Sequence, residues 1–279
     1  MDLCARLKSM LAKYNIADAA AVRLSDCKII LERKLDACGF SADRDIFAYV
    51  FTVPYFVNAD KTNISAYAKS KDYHIFFSEL FSEIVPQLQK EFPEYKFAGF
   101  ADSSPIDEVH AAALAGLGII GKNGLLITPK YSSYVFIGEL ITDFPIQVTQ
   151  KNAISFCKNC GICKAACPKK DIGICLSALT QEKGLLTEEQ QNHIKKYSSA
   201  WGCDICQECC PHTLAAIANN TIYTPIDFFK TDRTEDLSIQ LVEGMSDKEF
   251  SARAYSWRKK ETVLRNLSLT ESKKKGGQA

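Results

Sequence analysis

The sequence contains no apolar run approaching the roughly 18 residues that a membrane-spanning helix needs, so no segment is expected to cross a bilayer. It has no excess charge of either sign. Its 34 Lys and Arg against 33 Asp and Glu leave a net charge of +1, which gives the chain as a whole no electrostatic footprint for nucleic acid. Its first residues have no resemblance to a signal peptide, and a reduced, cytoplasmic setting is the expectation. No internal repeat is found outside one cysteine-rich stretch. What remains is an ordinary composition, 47% apolar and 24% charged, sufficient in 279 residues for one large core or two modest ones.

Cysteine is the exception to this plainness. Nine of the twelve cysteines fall between Cys157 and Pro211. The stretch opens with Cys157-x2-Cys160-x2-Cys163-x3-Cys167-Pro168 and closes with Cys203-x2-Cys206-x2-Cys209-Cys210-Pro211, with Cys175 between. This repeat wraps three thiolates around one iron–sulfur cubane and sends the cysteine beside the proline to a second. Because the motif occurs twice, the ligands are expected to interlock. Cys157, Cys160 and Cys163 take Cys210 as their fourth, and Cys167, Cys203 and Cys206 hold the other cluster, completed by Cys175 or Cys209. Paired C-x2-C units also build zinc ribbons, but those do not require C-x2-C-x2-C-x3-C-P. Disulfides are disfavoured by the same dense spacing in a reduced compartment. The prediction is two 4Fe–4S clusters.

Taken in order, residues 2–14 read as an amphipathic helix with Leu3, Leu7, Met10 and Leu11 on one face, and 19–24 as a strand. A helix is expected over 27–37, capped by Ser25 or Asp26 and stopped by Gly39. Residues 46–53 form a buried strand; 63–70 and 73–92 are helical, the second kinked or restarted at Pro86; 96–101 is a strand ending at Asp102. A helix follows over 105–114, then strands at 125–128 and 134–142 paired as a hairpin. Helices are expected at 187–197, 212–219 and 246–267, and the run Lys273 to Gly277 as a disordered tail. The class is α+β. The expected division is 1–150, 151–215 and 216–279, with the first boundary near Thr149–Asn152. Around it, Lys151, Lys158, Lys164, Lys169 and Lys170 occur without an acidic residue in 151–170, either as a solvated rim or as a docking patch for an acidic electron donor or a phosphate backbone.

Gly116-x-Gly118-x-x-Gly121 matches a dinucleotide fingerprint in letters only. That motif must follow a strand and open a helix, whereas here it follows a helix and precedes a strand. The glycines instead let a cofactor or another backbone approach closely. Asp102 sits at a strand-to-helix junction. Its carboxyl either caps the helix or faces a pocket, where burial would raise its pKa and make it a general acid. Of the four histidines, His74 at a helix start is a candidate for a cofactor wall or for core packing. His110 is expected to be structural, His193 solvated, and His212 a loop residue that could hydrogen-bond a cluster sulfur.

Asp102-Ser-Ser-Pro-Ile-Asp-Glu, Gly116-Leu-Gly-Ile-Ile-Gly-Lys122-Asn123 and Phe136-Ile-Gly-Glu-Leu-Ile-Thr-Asp143 resemble the cobalamin domain of epoxyqueuosine reductases. So does Ile64-Ser-Ala-Tyr67-Ala-Lys-Ser-Lys-Asp72-Tyr73-His74. Cys175-Leu-Ser177-Ala-Leu-Thr180-Gln-Glu182 and Gly202-Cys-Asp-Ile-Cys-Gln-Glu-Cys-Cys210-Pro211 are similar to that family's cluster segments, and the match extends over about 44–212. The resemblance implies an oxidoreductase with cobalamin between an α+β domain and a ferredoxin-like two-cluster domain. It implies reduction of epoxyqueuosine in tRNA to queuosine, electrons passing through the clusters to cobalt, and a proton from Asp102. It also selects Cys175 over Cys209 as the last cluster ligand, and offers Tyr67, His74, Lys122, Ser133 and Ser177 as cobalamin contacts. The chain departs from the family in the short stretch before residue 60, and in lacking the helical repeats that follow the clusters in long members. It also has Leu-Ser177-Ala178 where members have Ile-Ser-Tyr, and Pro211-His212-Thr213 where they have Pro-Trp-Asn. These departures bear on the tRNA, for which weak binding is expected. The partner expected with the enzyme is a small acidic electron donor of flavodoxin or ferredoxin type. The competing expectation is a ferredoxin-like electron-transfer module that reduces another corrinoid or flavin protein.

Overall fold

A computed structural model of the chain describes residues 2–40, 44–148 and 152–276, with side chains as far as Glu271. The expected boundary at Thr149–Asn152 therefore falls largely outside the described residues, as does Lys151. Contacts divide the chain into two units built from separated segments: Met1–Tyr55, Phe76–Cys160 and Ala215–Ile226 in one, and Phe56–Ile75, Gly161–Leu214 and Asp227–Ala279 in the other. The consecutive blocks expected from composition are not how the segments group. One physical cause is the stretch after Tyr55. It leaves the first sheet so that Ser65 N–H can bond the Trp201 carbonyl at 2.8 Å.

In chain order the first elements are α1 (Leu3–Ala12), β1 (Ala19–Arg23), α2 (Glu32–Ala37), β2 (Phe47–Pro54), α3 (Tyr73–Glu91), β3 (Phe97–Ala101), α4 (Glu108–Leu114), β4 (Ile119–Ile120), β5 (Leu126–Ile127) and β6 (Val135–Thr142). Four strands form an antiparallel sheet in the order β1-β2-β6-β3. Strand β2 is buried along its whole length because it lies inside the sheet with both faces covered, which is why its sequence is apolar without alternation. One face carries Val22, Ala48, Val50 and Ile141 against Ala111, Ala112 and Ala113 of α4. On the other face, Phe51 meets Phe77 and Phe81 of α3 at centroid distances of 6.2 Å. Gly99 and Gly138 are needed there, since a Cβ would stand 2.2 Å from the Phe81 ring and 2.5 Å from the Phe77 ring respectively.

Several expected elements change at this stage. Helix α2 starts late because the backbone before it is otherwise engaged. Ile29 bridges Ile106, and Ile30 N–H bonds the Pro105 carbonyl at 2.8 Å. The same pairing holds Pro105 outside α4, whose cap is Asp107, accepting from His110 N–H at 3.1 Å. Helix α3 passes through Pro86 unbroken; Pro86 and Ser82, whose carbonyl it leaves without an N–H, are both exposed, so that carbonyl can turn to solvent. Strands β5 and β6 are not a hairpin: β5 pairs with β4, and β6 lies between β2 and β3.

The second unit is helical: α5 (Ile162–Ala166), α6 (Lys169–Ile172), α7 (Leu176–Thr180), α8 (Glu188–Tyr197), α9 (Ile205–Glu208), α11 (Asp227–Lys230), α12 (Ile239–Gly244), α13 (Asp247–Ser251) and α14 (Lys259–Gly276), with α10 (Pro211–Ala218) straddling the division. Its core gathers Trp201, Tyr255, Val263 and Leu267, all fully buried. Residues 63–70 form only a single 3-10 turn, Ala66–Ala68, since the backbone of Asn63 and Ser65 pairs with Ala200 and Trp201. The expected long helix over 246–267 is broken. Ser246 and Glu249 build a capping box for α13, and Lys259, the first residue of α14, takes a φ of +67°. Helix α14 continues through the lysines at 273–275, where a disordered tail was expected.

Candidate active site

The register of the sheet assembles a site at one end of it. Ala101 lies opposite Gly138 and Pro54 opposite Val135, so the carboxyl ends of β2 and β3 and the start of β6 share that end. Asp102 follows β3 directly. Its φ is +62°, and Ser103 N–H reaches back to the Ala101 carbonyl at 2.7 Å, so Asp102 is the centre of a tight γ-turn. Non-glycine residues adopt such backbone rarely and at a cost of about 1–3 kcal/mol, and they concentrate at functional sites. Lys34 Nζ fixes the turn from below by donating to the Ser103 carbonyl and to its hydroxyl. With Asp107 as the helix cap, Asp102 is released from that duty, and its carboxyl is exposed rather than buried.

At the same end of the sheet stands an aromatic wall, with Tyr55 tilted against Phe136 at 4.4 Å and edge-on to Tyr134 at 5.7 Å. Ser133 is buried in the turn leading into β6. The wall is tied in by the Thr224 hydroxyl on the Pro54 carbonyl at 2.6 Å and the Thr221 hydroxyl on that of Lys130 at 3.1 Å. Tyr55, Tyr134 and Ser133 are buried and Phe136 is half-buried, so Phe136, backed by the two tyrosines, is the ring this end of the sheet offers to a flat ligand. A cleft of about 710 Å³ lies elsewhere in this unit, among α1, β1 and residues 144–148. It contains none of the residues singled out by sequence, so the sheet end is the better candidate on its chemistry.

The fingerprint-like glycines face protein, as one of the two expectations held. A Cβ on Gly118 would stand 2.5 Å from the Ile127 carbonyl oxygen. The loop that follows bears on the metal. Lys122 is exposed, and its backbone N–H donates to Cys157 Sγ at 3.2 Å, while Cys157 N–H bonds the Ile120 carbonyl at 3.0 Å. An amide aimed at a cysteine sulfur is the kind of neighbour that tunes an iron–sulfur site.

From Gly161 on, each cysteine repeat folds into a short helix followed by a proline-led one, the first repeat's Cys157 and Cys160 lying in the first unit. Cys163 lies in α5, and Cys167-Pro168 joins it to α6. Cys206 lies in α9, and Cys210 precedes Pro211 at the start of α10. Helices α5 and α9 pack on each other. Burial is the main cause that pushes the Cys203 thiol up to about 12, with Asp204 and then the neighbouring sulfurs of Cys206 and Cys175 adding to it. Such a thiol ionises only when a metal takes the charge. Cys209 instead feels Cys163 and Cys210. Among the described residues no three Cys, His, Asp or Glu side chains converge at single-ion distances. An all-thiol set on paired helical turns fits two iron–sulfur cubanes.

Asp204, which sequence reasoning passed over, anchors this segment. Its carboxylate accepts from the Ser65 hydroxyl at 2.5 Å, Ala66 N–H at 2.6 Å and Gln207 Nε2 at 3.0 Å. Its place between two cluster cysteines was the available signal. The offered cobalamin contacts are variously engaged. The Tyr67 hydroxyl accepts from Trp201 Nε1 at 2.8 Å, Ser177 Oγ accepts from Gln181 Nε2 at 3.2 Å, and exposed His74 stacks on Tyr73 at 4.2 Å with Asp72 on its Nδ1 at 2.8 Å. Tyr67, His74 and Ser177 belong to the second unit, and Asp102, Lys122 and Ser133 to the first. His193, expected in solvent, is 4% exposed, because α8 turns it towards Asp171 of α6. His212 is exposed in the first turn of α10.

No protein-family model matches the chain. It is 32% identical over 209 residues to the epoxyqueuosine reductase of Lactococcus garvieae, covering 71% of this chain and 58% of that one. It is also 32% identical over 225 residues to the enzyme of that name from Leadbetterella byssophila, covering 77% and 72%. The structure of epoxyqueuosine reductase from Streptococcus thermophilus superposes with a TM-score of 0.73 at 25% identity, over 96% of this chain and 80% of that one. Against the first two relatives the chain spans 58% and 62% of their length. By this similarity across most of its residues, the chain belongs to the epoxyqueuosine reductase family.

Proposed function

We propose that this chain reduces the epoxide of epoxyqueuosine in tRNA to the alkene of queuosine, as a cytoplasmic enzyme with two 4Fe–4S clusters and cobalamin. The observation that carries the reading is the Asp102 turn, exposed at the sheet end that also carries the Tyr55–Phe136 pair and relieved of helix capping by Asp107. Such an arrangement serves a proton donor next to a flat cofactor, and an electron carrier has no use for it. Support for the substrate comes from a solved neighbour, 20% identical with a TM-score of 0.72, whose structure is that of an epoxyqueuosine reductase with an epoxyqueuosine-modified tRNA stem loop.

In this reading the first unit is the cobalamin-binding α+β domain and the second contains most of a ferredoxin-like cluster domain. Cys157, Cys160, Cys163 and Cys210 hold one cluster, and Cys167, Cys175, Cys203 and Cys206 the other. The nearness of Cys175 to Cys203 supports that choice and leaves Cys209 spare. Tyr67, His74, Lys122, Ser133 and Ser177 would contact the corrin or its side chains. Cobalamin supplies metal-centred reduction of a carbon–oxygen bond, which no side chain offers. The protein's own part is to hold the epoxide, exclude water and present the Asp102 carboxyl to the departing oxygen. A small acidic carrier of flavodoxin or ferredoxin type would refill the clusters, meeting exposed lysines such as Lys158, Lys164, Lys169 and Lys170.

The test is anaerobic reconstitution with iron, sulfide and cobalamin, followed by a stem loop carrying epoxyqueuosine. The expected product has lost one oxygen by mass. Full cofactor loading with no oxygen loss overturns the reading. Rapid reduction of a separate corrinoid or flavin protein would then favour an electron-transfer module.

A further inference from the structure

Strand β6 places a carboxylate where an apolar side chain belongs. Val135, Ile137, Glu139 and Ile141 alternate onto the face that α4 covers, and only Glu139 is polar. Glu139 is fully buried between Val50 of β2 and Phe100 of β3. Neither of its carboxylate oxygens has a hydrogen-bond partner among the described residues. Thr52 Oγ1, diagonal to it on the same face, is buried and unpartnered as well, as is His110 Nδ1 on α4. The Ser104 hydroxyl lies near enough to favour ionised Glu139 without making a bond at full geometry. Burial, and then the Glu108 carboxyl on α4, outweigh it and drive the Glu139 pKa well above its ordinary value. The other titratable groups on packed elements are His110 of α4 and the Cys27 thiol, which senses Glu139 and Asp26; β2 and β3 set only Val50 and Phe100 opposite it. A carboxylate buried here without a hydrogen-bond partner is strongly disfavoured when charged, and so holds a proton instead.

The chemistry of the proposed reaction needs that proton. Removing an epoxide oxygen as water, leaving a carbon–carbon double bond, consumes two electrons and two protons. The clusters, when bound, would supply the electrons. Asp102 holds at most one proton. Ser104, beside Glu139, is two residues along the chain from Asp102, and Phe100, across the ladder from Glu139, is two residues before it. We infer that Glu139, paired with Glu108, is a buried proton store that delivers the second proton of each turnover towards Asp102 by way of the Ser104 hydroxyl. The inference rests on the proposed epoxide reduction, and Glu139 acts through Asp102 as a positioning and supply residue rather than touching substrate.

Two readouts separate the store from the reaction. Infrared spectroscopy of the full chain at neutral pH should show a protonated-carboxyl stretch that Glu139→Gln removes and Ser104→Ala keeps. With clusters and cobalamin loaded and reduced to the wild-type extent, both variants should lower kcat on the stem loop roughly 10- to 100-fold at unchanged KM, below the full loss of a general acid. Both should also raise the solvent isotope effect. A wild-type chain without the carboxyl band, or a Glu139→Gln variant with unchanged kcat, overturns the store. A wild type that shows the band but removes no oxygen from the stem loop overturns the function, and the delivery role with it, while the retained proton stands.

Discussion

Asp102 keeps a positive φ where a capping aspartate would be extended, and Asp107, five residues later, does the capping. This separates two outcomes for Asp102→Asn. Asparagine tolerates left-handed backbone, so stability and cofactor content should stay at wild type, while turnover falls by about 10²- to 10⁴-fold for want of a general acid. Unchanged turnover at full cobalamin occupancy would remove Asp102 from the mechanism. The cysteines can be tested by counting. Cys209→Ser should retain about eight irons per chain and Cys175→Ser about half, on the count for two cubanes; the reverse pattern would exchange their roles. Glu139 gives a pH signature. Its folded pKa is raised, so the folded chain binds a proton that the unfolded chain gives up near pH 4.3, by the ordinary value of about 4.3 for glutamate. Stability from this group is therefore present below that pH and is lost as pH rises towards the folded pKa. Urea midpoints of the wild type should decline over that window relative to those of Glu139→Gln, and parallel curves would show that Glu139 ionises normally.

The elements show which signals sequence carries. Strand β2 and helix α1 were readable because their patterns are local: a continuous apolar run buried on both faces, and an apolar stripe at helical spacing. The alternation in β6 was equally local, and Glu139 interrupts it at an inward position, so the buried acid was open to notice. What stayed hidden depended on distant partners. Nothing near Ile29 announces that residues 28–31 will pair with 105–107 and delay both α2 and α4. Nothing near residue 126 says that β5 will choose β4 over β6. The cysteine pattern was legible because cluster ligation is encoded in spacing, whereas the Asp204 anchor needed knowledge that residues 65–66 return to it. Gly138 makes the packing of β6 testable. A methyl there would meet the Phe77 and Phe51 rings at 2.5 and 2.7 Å, so Gly138→Ala should lower stability by about 1–3 kcal/mol, the usual range for overpacking. A smaller loss by denaturant melt would mean that α3 shifts freely on the sheet.

At the scale of the molecule the question is how an almost neutral chain would engage a polyanion. A net charge of +1 supplies no long-range attraction, so under the proposed function tRNA affinity would have to come from local lysines and from recognition of the modified base. The exposed lysines of the first cysteine repeat, Lys158, Lys164, Lys169 and Lys170, are the ones singled out by sequence that the structure describes. Lys170 is partly occupied, since its Nζ donates to the Ala165 carbonyl. If each of the four neutralised one phosphate, log K against log salt would fall with a slope no steeper than about −4, using roughly −0.9 per contact on a duplex. Binding of an unmodified stem loop, measured by anisotropy across a salt series, should therefore be weak and shallow. Charge reversal of Lys164 and Lys169 together should flatten it further, by about two contacts. Epoxyqueuosine in the loop should then tighten binding without changing the slope, because the added contacts are to an uncharged epoxide and base. A steep slope that survives the double reversal would place the phosphate contacts on other residues and remove the first cysteine repeat from the RNA interface.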